Sequence, residues 1–240
     1  MLNVENVSVR FGGLVAVDNI SLRTATDSIL CIIGPNGAGK TTLFSVLSGF
    51  LKPTSGRVRF NDLEISSMPA HRVSLAGVSR TFQIVRPFRD LTVLDNVMVG
   101  AFAKASGYDE ARERALAVLN EVGLYKKRDF LASYLTLPDL KRLEVAKTLA
   151  TQPVYLLLDE VMAGLNLPEQ HEVAAMIEKI HARGIGVLLV EHSLAMVQRL
   201  GQHVICMDSG RKIAEGTAAE VIRSEAVQVA YMGVGNVQAA

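Results

Sequence analysis

The chain has 240 residues, with 25 Lys and Arg against 24 Asp and Glu and a formal net charge of +1. That length can bury a full α/β core, while the charge balance argues against nucleic acid or another polyanion as partner. No stretch pairs a basic end with an apolar core as a signal peptide does, and none reaches the about 18 uninterrupted apolar residues of a spanning helix, so a cytoplasmic chain is expected.

In chain order, Val7–Val9 and Val17–Leu22 alternate apolar and polar residues, the pattern of antiparallel strands with one wet face. The apolar run Ile29–Ile33 predicts a buried strand, and Thr42–Ser48 a helix stopped by Gly49. Lys52-Pro53-Thr54-Ser55-Gly56 reads as a turn, Arg57–Phe60 as a short strand, and Val78–Phe82 as a strand ending at Gln83. From about Leu91 to Ala150 the pattern becomes helical: a capping-box-like Thr92–Asp95, a periodic Glu110–Val122, and Leu140–Ala150. After Pro153 strand and helix alternate through Val154–Leu158, Glu169–Ala182, Gly186–Val190, Leu194–Leu200 and His203–Met207, which implies a parallel sheet with crossover helices. Asp208-Ser209-Gly210 predicts a hairpin turn, Thr217–Glu220 caps a last helix, and the small polar tail from Gly233 to Ala240 is expected to fray. Cys31 and Cys206 lie inside apolar runs and read as core thiols. A mean hydropathy of +0.26 leaves room for an apolar docking surface.

Between the strand 29–33 and its helix stands Gly34-Pro35-Asn36-Gly37-Ala38-Gly39-Lys40-Thr41, a full match to G-x-x-x-x-G-K-[ST]. Glycines let backbone N–H groups turn inward around phosphate oxygens, and the helix N-terminus adds partial positive charge. Lys40 can reach the β- and γ-phosphates of a nucleoside triphosphate, the Thr41 hydroxyl can ligate Mg²⁺, and Thr42 continues the same turn. This loop does not by itself separate kinases, GTPases and ATPases. Val154–Leu158 narrows the choice, because that buried strand ends in Asp159 and Glu160. Asp159 suits Mg²⁺ held through its water shell, and Glu160 suits polarisation of the water that attacks the γ-phosphate. His192 follows the strand 186–190 and reads either as a hydrogen-bonded surface residue or as a donor to the γ-phosphate. Gln83 offers an amide oxygen to Mg²⁺ or to the attacking water.

With these parts in this order the chain resembles an ABC-transporter ATP-binding subunit over essentially its whole length. The resemblance implies an α/β P-loop NTPase of ABC type: a RecA-like core with an N-terminal antiparallel β subdomain (1–90 and 151–240) and an inserted helical subdomain (91–150). It implies ATP and Mg²⁺ as ligands, with Phe11 stacked on adenine, Gly34–Thr42 around the phosphates, and Thr41, Gln83 and Asp159 at the metal. Glu160, Gln83 and His192 take the catalytic roles, and Ala163-Gly164-Leu165-Asn166 falls in the D-loop position. Arg80–Phe88, Glu191–Leu194 and Gly210–Gly216 are similar to the branched-chain amino acid and related amide importers. An exporter ATPase for lipid or lipopolysaccharide and a soluble non-transport ABC ATPase are the alternatives.

One motif departs from the family. Where the signature Leu-Ser-Gly-Gly-Gln is expected, the chain has Leu135-Thr136-Leu137-Pro138-Asp139. Leu137 stands where close backbone approach is wanted, and Pro138 lacks the N–H that would meet a phosphate. Thr136 to Asp139 is nonetheless a sound helix start, with a cap, an early proline and an acid in the first turn. Val161, in place of the usual proline, is a milder departure. Transmembrane permease subunits are the expected partners at the cytoplasmic face of the plasma membrane, docked near Gln83 and Arg86–Val99. A second ATPase subunit, identical or different, is expected beside this chain, with a periplasmic solute-binding protein acting indirectly.

Overall fold

The computed structural model describes residues 1–82 and 85–232, the last by its backbone alone; Gln83 and the tail 233–240 lie outside the described residues. Six strands form the central sheet: β3 (Ile29–Ile33), β6 (Val78–Arg80), β7 (Tyr155–Asp159), β8 (Gly186–Val190), β9 (His203–Asp208) and β10 (Arg211–Gly216). Their order is β10-β9-β3-β8-β7-β6, with β10 alone antiparallel. Every residue of β3, β7 and β8 is buried, as near-continuous apolar strands must be when both sheet faces are covered.

Successive side chains of these strands serve opposite faces. Ile29, Cys31 and Ile33 join Leu156, Leu158, Val187 and Leu189 in a core shared with the helices. Leu30 and Ile32 join Tyr155, Leu157, Leu188 and Val190 in a second core. That second core also takes in the four-stranded antiparallel sheet of β1 (Leu2–Phe11), β2 (Leu14–Thr24), β4 (Ser55–Phe60) and β5 (Leu63–Glu64), together with helix α1 (Lys40–Leu47). The central sheet is therefore sandwiched between helices and a smaller sheet. Tyr155 ties the two sheets together, donating its hydroxyl to the Thr24 carbonyl at 2.9 Å.

Helices α3 (Val93–Ala101), α4 (Tyr108–Glu121) and α5 (Leu137–Leu149) pack on one another, and α5 reaches the central sheet. The Thr92 hydroxyl caps α3 by accepting from the Asp95 N–H. Helix α6 (Leu167–His181) begins two residues before the periodicity suggests, because Asn166 and Glu169 close a full capping box and Pro168 fixes the first turn. Helix α1 likewise starts at Lys40, and α5 at Leu137, earlier than the apolar spacing marks them. Helix α2 (Ala70–Ala76) escapes sequence reading since it buries only Val73 and has no apolar stripe. After α7 (Leu194–Leu200) and α8 (Ala218–Arg223), the latter with the expected Thr217–Glu220 box, a further helix α9 (Glu225–Met232) follows, so Thr217 does not start the last helix. Both cysteines are free and buried, and burial pushes the Cys31 thiol up to about 12. Among the described residues no helix is long and apolar enough to cross a membrane.

Candidate nucleotide site

The C-terminal ends of β3, β6, β7, β8 and β9 all reach the same edge of the central sheet, where open α/β sheets hold ligands. The loop 34–39 leaves β3 there and turns into α1. Its outer glycines are obligatory: Gly34 has φ 145° and a Cβ on it would stand 2.0 Å from the Met207 carbonyl oxygen, while on Gly39, at φ 96°, it would stand 2.3 Å from that of Ala16. The loop is braced from outside by the two-residue turn Ser209-Gly210 between β9 and β10, whose Gly210 N–H donates to the Ala38 carbonyl at 3.1 Å. Tyr231 of α9 braces it from the other end, its hydroxyl accepting the Gly34 N–H at 2.8 Å.

Lys40 lies back across the loop, donating to the carbonyls of Gly34 at 2.7 Å and Pro35 at 2.9 Å. Burial depresses its pKa, and the charges of Glu160, Cys206 and Asp159 oppose that depression. Helix α1 opens with no side-chain cap and no acid in its first turn, so the N-terminal N–H groups and their dipole face the pocket unopposed. The pocket in front of them, about 630 Å³, is lined by Asn36, Gly37, Ala38, Gly39, Lys40, Thr41 and Thr42, by Phe11 and Leu14 on one side, and by Glu160. Phe11 is 51% exposed, an aromatic face offered to the pocket rather than packed in the core.

At the end of β7, Asp159 is fully buried and Glu160 sits at φ 51°, a left-handed conformation uncommon for a residue other than glycine. The Glu160 N–H is anchored on the Val190 carbonyl at 3.0 Å, which ties the end of β7 to the end of β8. His192 Nε2 stands 2.8 Å from Glu160 Oε1, with both side chains partly open to solvent. Glu191, buried beside them, accepts from the Met162 and His192 N–H groups and has its pKa raised chiefly by burial. Lys141 of α5 donates to the Glu160 carbonyl at 3.3 Å.

The donor set fits a nucleotide with its divalent cation. Asp159 Oδ1 is buried without a hydrogen-bond partner among the described residues, which is the state expected of an oxygen reserved for a cation or its water. Gly34 and Gly39 let the loop close against the Met207 and Ala16 carbonyls, contacts that any side chain there would break. Thus the structure brings Phe11, the loop 34–42, Asp159, Glu160 and His192 to one sheet edge; Gln83 lies outside the described residues. Arg80, Glu191, Lys141 and Tyr231 also enter this neighbourhood, and none carries a local signal as a site residue in the sequence.

The signature region is built differently. Thr136 is the N-cap of α5, Pro138 occupies its first turn, and Asp139 is buried with its carboxylate bonded by the Thr136 hydroxyl at 2.9 Å and paired with Lys127. Leu137 is 45% exposed and lies next to Gly164 of the D-loop position.

Comparison with known proteins gives a consistent picture. The model of the ABC transporter family matches residues 17–163, and that of the branched-chain amino acid ATP-binding cassette transporter matches 211–236. LivG of Salmonella typhimurium, a high-affinity branched-chain amino acid transport ATP-binding protein, is 37% identical over 97% of this chain and 98% of its own length. BraF of Pseudomonas aeruginosa, described in the same terms, is 36% identical with the same coverage. A nucleotide-free ATP-binding cassette from an ABC transporter superposes with a TM-score of 0.88 at 29% identity, covering 97% of this chain and 99% of that one. The ADP conformation of an ATP-binding cassette superposes equally well, with a TM-score of 0.88, 30% identity, and coverage of 97% and 98%.

Proposed function

This chain belongs to the ABC transporter family, and from that membership we propose that it is the ATP-hydrolysing subunit of an importer for branched-chain or chemically related amino acids. The observation that carries the reading is the convergence of an uncapped α1, Asp159 and the Glu160–His192 pair on one pocket. The amino acid class rests on the relatives' transported solutes and on the match over 211–236.

In this reading Phe11 stacks on the adenine and the N–H groups of the loop 34–42 take the phosphates, with Lys40 exchanging its two carbonyls for phosphate oxygens. Thr41, Gln83 and Asp159 would hold Mg²⁺, which when bound would supply charge to offset that developing on the phosphate oxygens. Glu160 accepts a proton from the attacking water. His192, whose Nε2 is hydrogen-bonded to Glu160 here, would exchange that carboxylate for the γ-phosphate as its hydrogen-bond acceptor when ATP binds, freeing Glu160 for the water.

Permease subunits are the mechanical load. A groove of about 480 Å³ between the core and the helices 93–149, lined by Phe50, Phe82 and Val99 with the Lys147–Glu144 ion pair among its polar residues, is a largely apolar surface suited to a short helix of a membrane partner. In this reading the chain sits peripherally, at the cytoplasmic face of the membrane. Two ATPase subunits would enclose ATP between the phosphate loop of one and the signature helix of the other. Because α5 offers a proline and an acid there, we propose a partner ATPase of different sequence that brings its own signature helix to the ATP held by this chain.

The test is co-purification of the chain with its membrane subunits, reconstitution in liposomes, and measurement of leucine-stimulated ATP hydrolysis and uptake. Stimulation by leucine, isoleucine or valine is the expected result. Robust ATP hydrolysis indifferent to every amino acid would reject the solute class, and no ATP binding at all would reject the site.

A further inference from the structure

Arg80 closes β6 with its side chain at 6% exposure against an Asp159 side chain at 0%. Its Nη2 donates to Asp159 Oδ2 at 2.6 Å and its Nη1 to the Ser45 hydroxyl of α1 at 2.9 Å. The guanidinium carbon stands 5.8 Å from the centroid of the Phe44 ring and 6.0 Å from that of Phe82. One cation is thus held at once by α1, β6, β7 and the residue that precedes Gln83. Asp159 is further fixed by its N–H, which the Thr81 hydroxyl accepts at 3.3 Å. Its Oδ1 remains buried and unbonded among the described residues.

A carboxylate withdrawn this far from water is costly unless an opposite charge compensates it. Arg80 compensates Asp159 through one oxygen and leaves the other free for a second cation. Two cations on one carboxylate oppose each other, and a buried setting screens that opposition poorly. Because Asp159 terminates a central strand paired with β8, its backbone position is set by the sheet rather than by Arg80.

We propose that Arg80 is a placeholder cation, a positioning residue that balances Asp159 in the metal-free state and competes with Mg²⁺ for that carboxylate; this rests on the reading that Asp159 serves a nucleotide-linked Mg²⁺. Removing the charge at position 80 tightens metal binding while destabilising the metal-free protein. A residue serving only to orient Asp159 would do the reverse to the metal.

The test uses the full chain with trinitrophenyl-ADP as the fluorescent probe, titrated in EDTA and then across Mg²⁺ concentrations, alongside thermal melting. Arg80→Gln is expected to keep its affinity for the probe in EDTA and to reach half-saturation at a Mg²⁺ concentration lower by about fivefold or more. Its Tm without metal falls, and its rise on adding Mg²⁺ exceeds that of the parent. Arg80→Lys, which keeps the charge, returns the half-saturation point to the parent value. Should Arg80→Gln not fold, guanidinium ¹⁵N NMR of the unsubstituted chain decides: the Arg80 Nη protons, assigned through Arg80→Lys, become faster-exchanging with ADP plus Mg²⁺ but not with ADP alone. An unchanged or higher Mg²⁺ requirement in Arg80→Gln, or Arg80 signals indifferent to Mg²⁺, overturns the proposal. A parent chain that binds no probe with or without metal overturns the nucleotide reading itself, a separate and recognisable failure.

Discussion

In the proposed function two helix starts of this molecule face phosphate, and they are built in opposite ways. Helix α1 begins after a left-handed Gly39, with no side-chain cap and no acid in its first turn. Its N-terminal N–H groups and dipole are left for a ligand, and Lys40 beside them is parked on carbonyls it can leave. Helix α5 begins after Thr136 with Pro138 and a buried Asp139 that is already engaged by Lys127 and by the Thr136 hydroxyl. One N–H is missing, a negative charge sits where an anion would approach, and a leucine stands in the approach path. The first start is unfinished without an anion; the second is complete by itself. A helix N-terminus becomes a phosphate site only when the chain withholds the ordinary means of satisfying it.

The largest expected effects break the first start. In the proposed mechanism Glu160→Gln removes the proton acceptor while leaving the loop intact, so hydrolysis in the assembled transporter is expected to fall about 100-fold or more with ATP affinity retained. Steady-state phosphate release and nucleotide titration measure the two quantities separately. Lys40→Ala acts on binding instead, and isothermal titration should find MgATP affinity greatly weakened.

The second start can be sharpened into something like the first. Replacing Leu137 and Pro138 together by Gly restores a backbone N–H and opens the approach, a hydrogen bond to a charged group worth roughly 1.5–3 kcal/mol. Hydrolysis of ATP held on the partner subunit's loop is expected to rise by about tenfold or more, as read by single-turnover assays with the parent chain's own site silenced by Glu160→Gln. Equal loss of transport from silencing this chain or its partner would remove the asymmetry between the two starts.

Smaller effects come from the flanks. Phe11→Ala removes a stacking face worth about 0.5–1.5 kcal/mol, so the ATP dissociation constant rises by up to about tenfold, and GTP competes comparably in the parent. Competition binding with a fluorescent nucleotide checks both. Lys127→Gln takes away the half-exposed partner of Asp139 at the α5 start; urea unfolding should register a loss of about 1 kcal/mol or less, with nucleotide binding to this chain unaltered.

Much of the site was legible in the sequence for the same physical reason in each case. The loop 34–41 works through consecutive backbone groups, so its requirements are written contiguously as glycines and a lysine. Asp159 and Glu160 terminate an apolar run, and a buried strand that ends in charge marks a sheet edge. The strand–helix alternation after Pro153 likewise fixed the parallel sheet, and the alternation in β1 and β2 fixed the antiparallel one. Element ends were less legible where caps decide them, as at Asn166, and α2 was invisible because a seven-residue helix with one buried side chain carries no period.

What the sequence determined by itself, then, were features whose cause is local and written in contiguous residue types: the phosphate loop, the strand ends that carry Asp159, Glu160 and His192, and the altered start of α5. The tertiary structure alone decided the pairings between distant segments. Arg80 meets Asp159 across 79 positions, Tyr231 meets Gly34 across 197, and Lys141 reaches Glu160 only because α5 packs on the central sheet. Such contacts depend on where chain topology sets each strand end against its neighbours, and no spacing along the sequence records that. The distinction is one of range, since backbone conformation follows from neighbouring residues whereas the balancing of buried charge follows from whichever side chains the fold brings within a few ångströms.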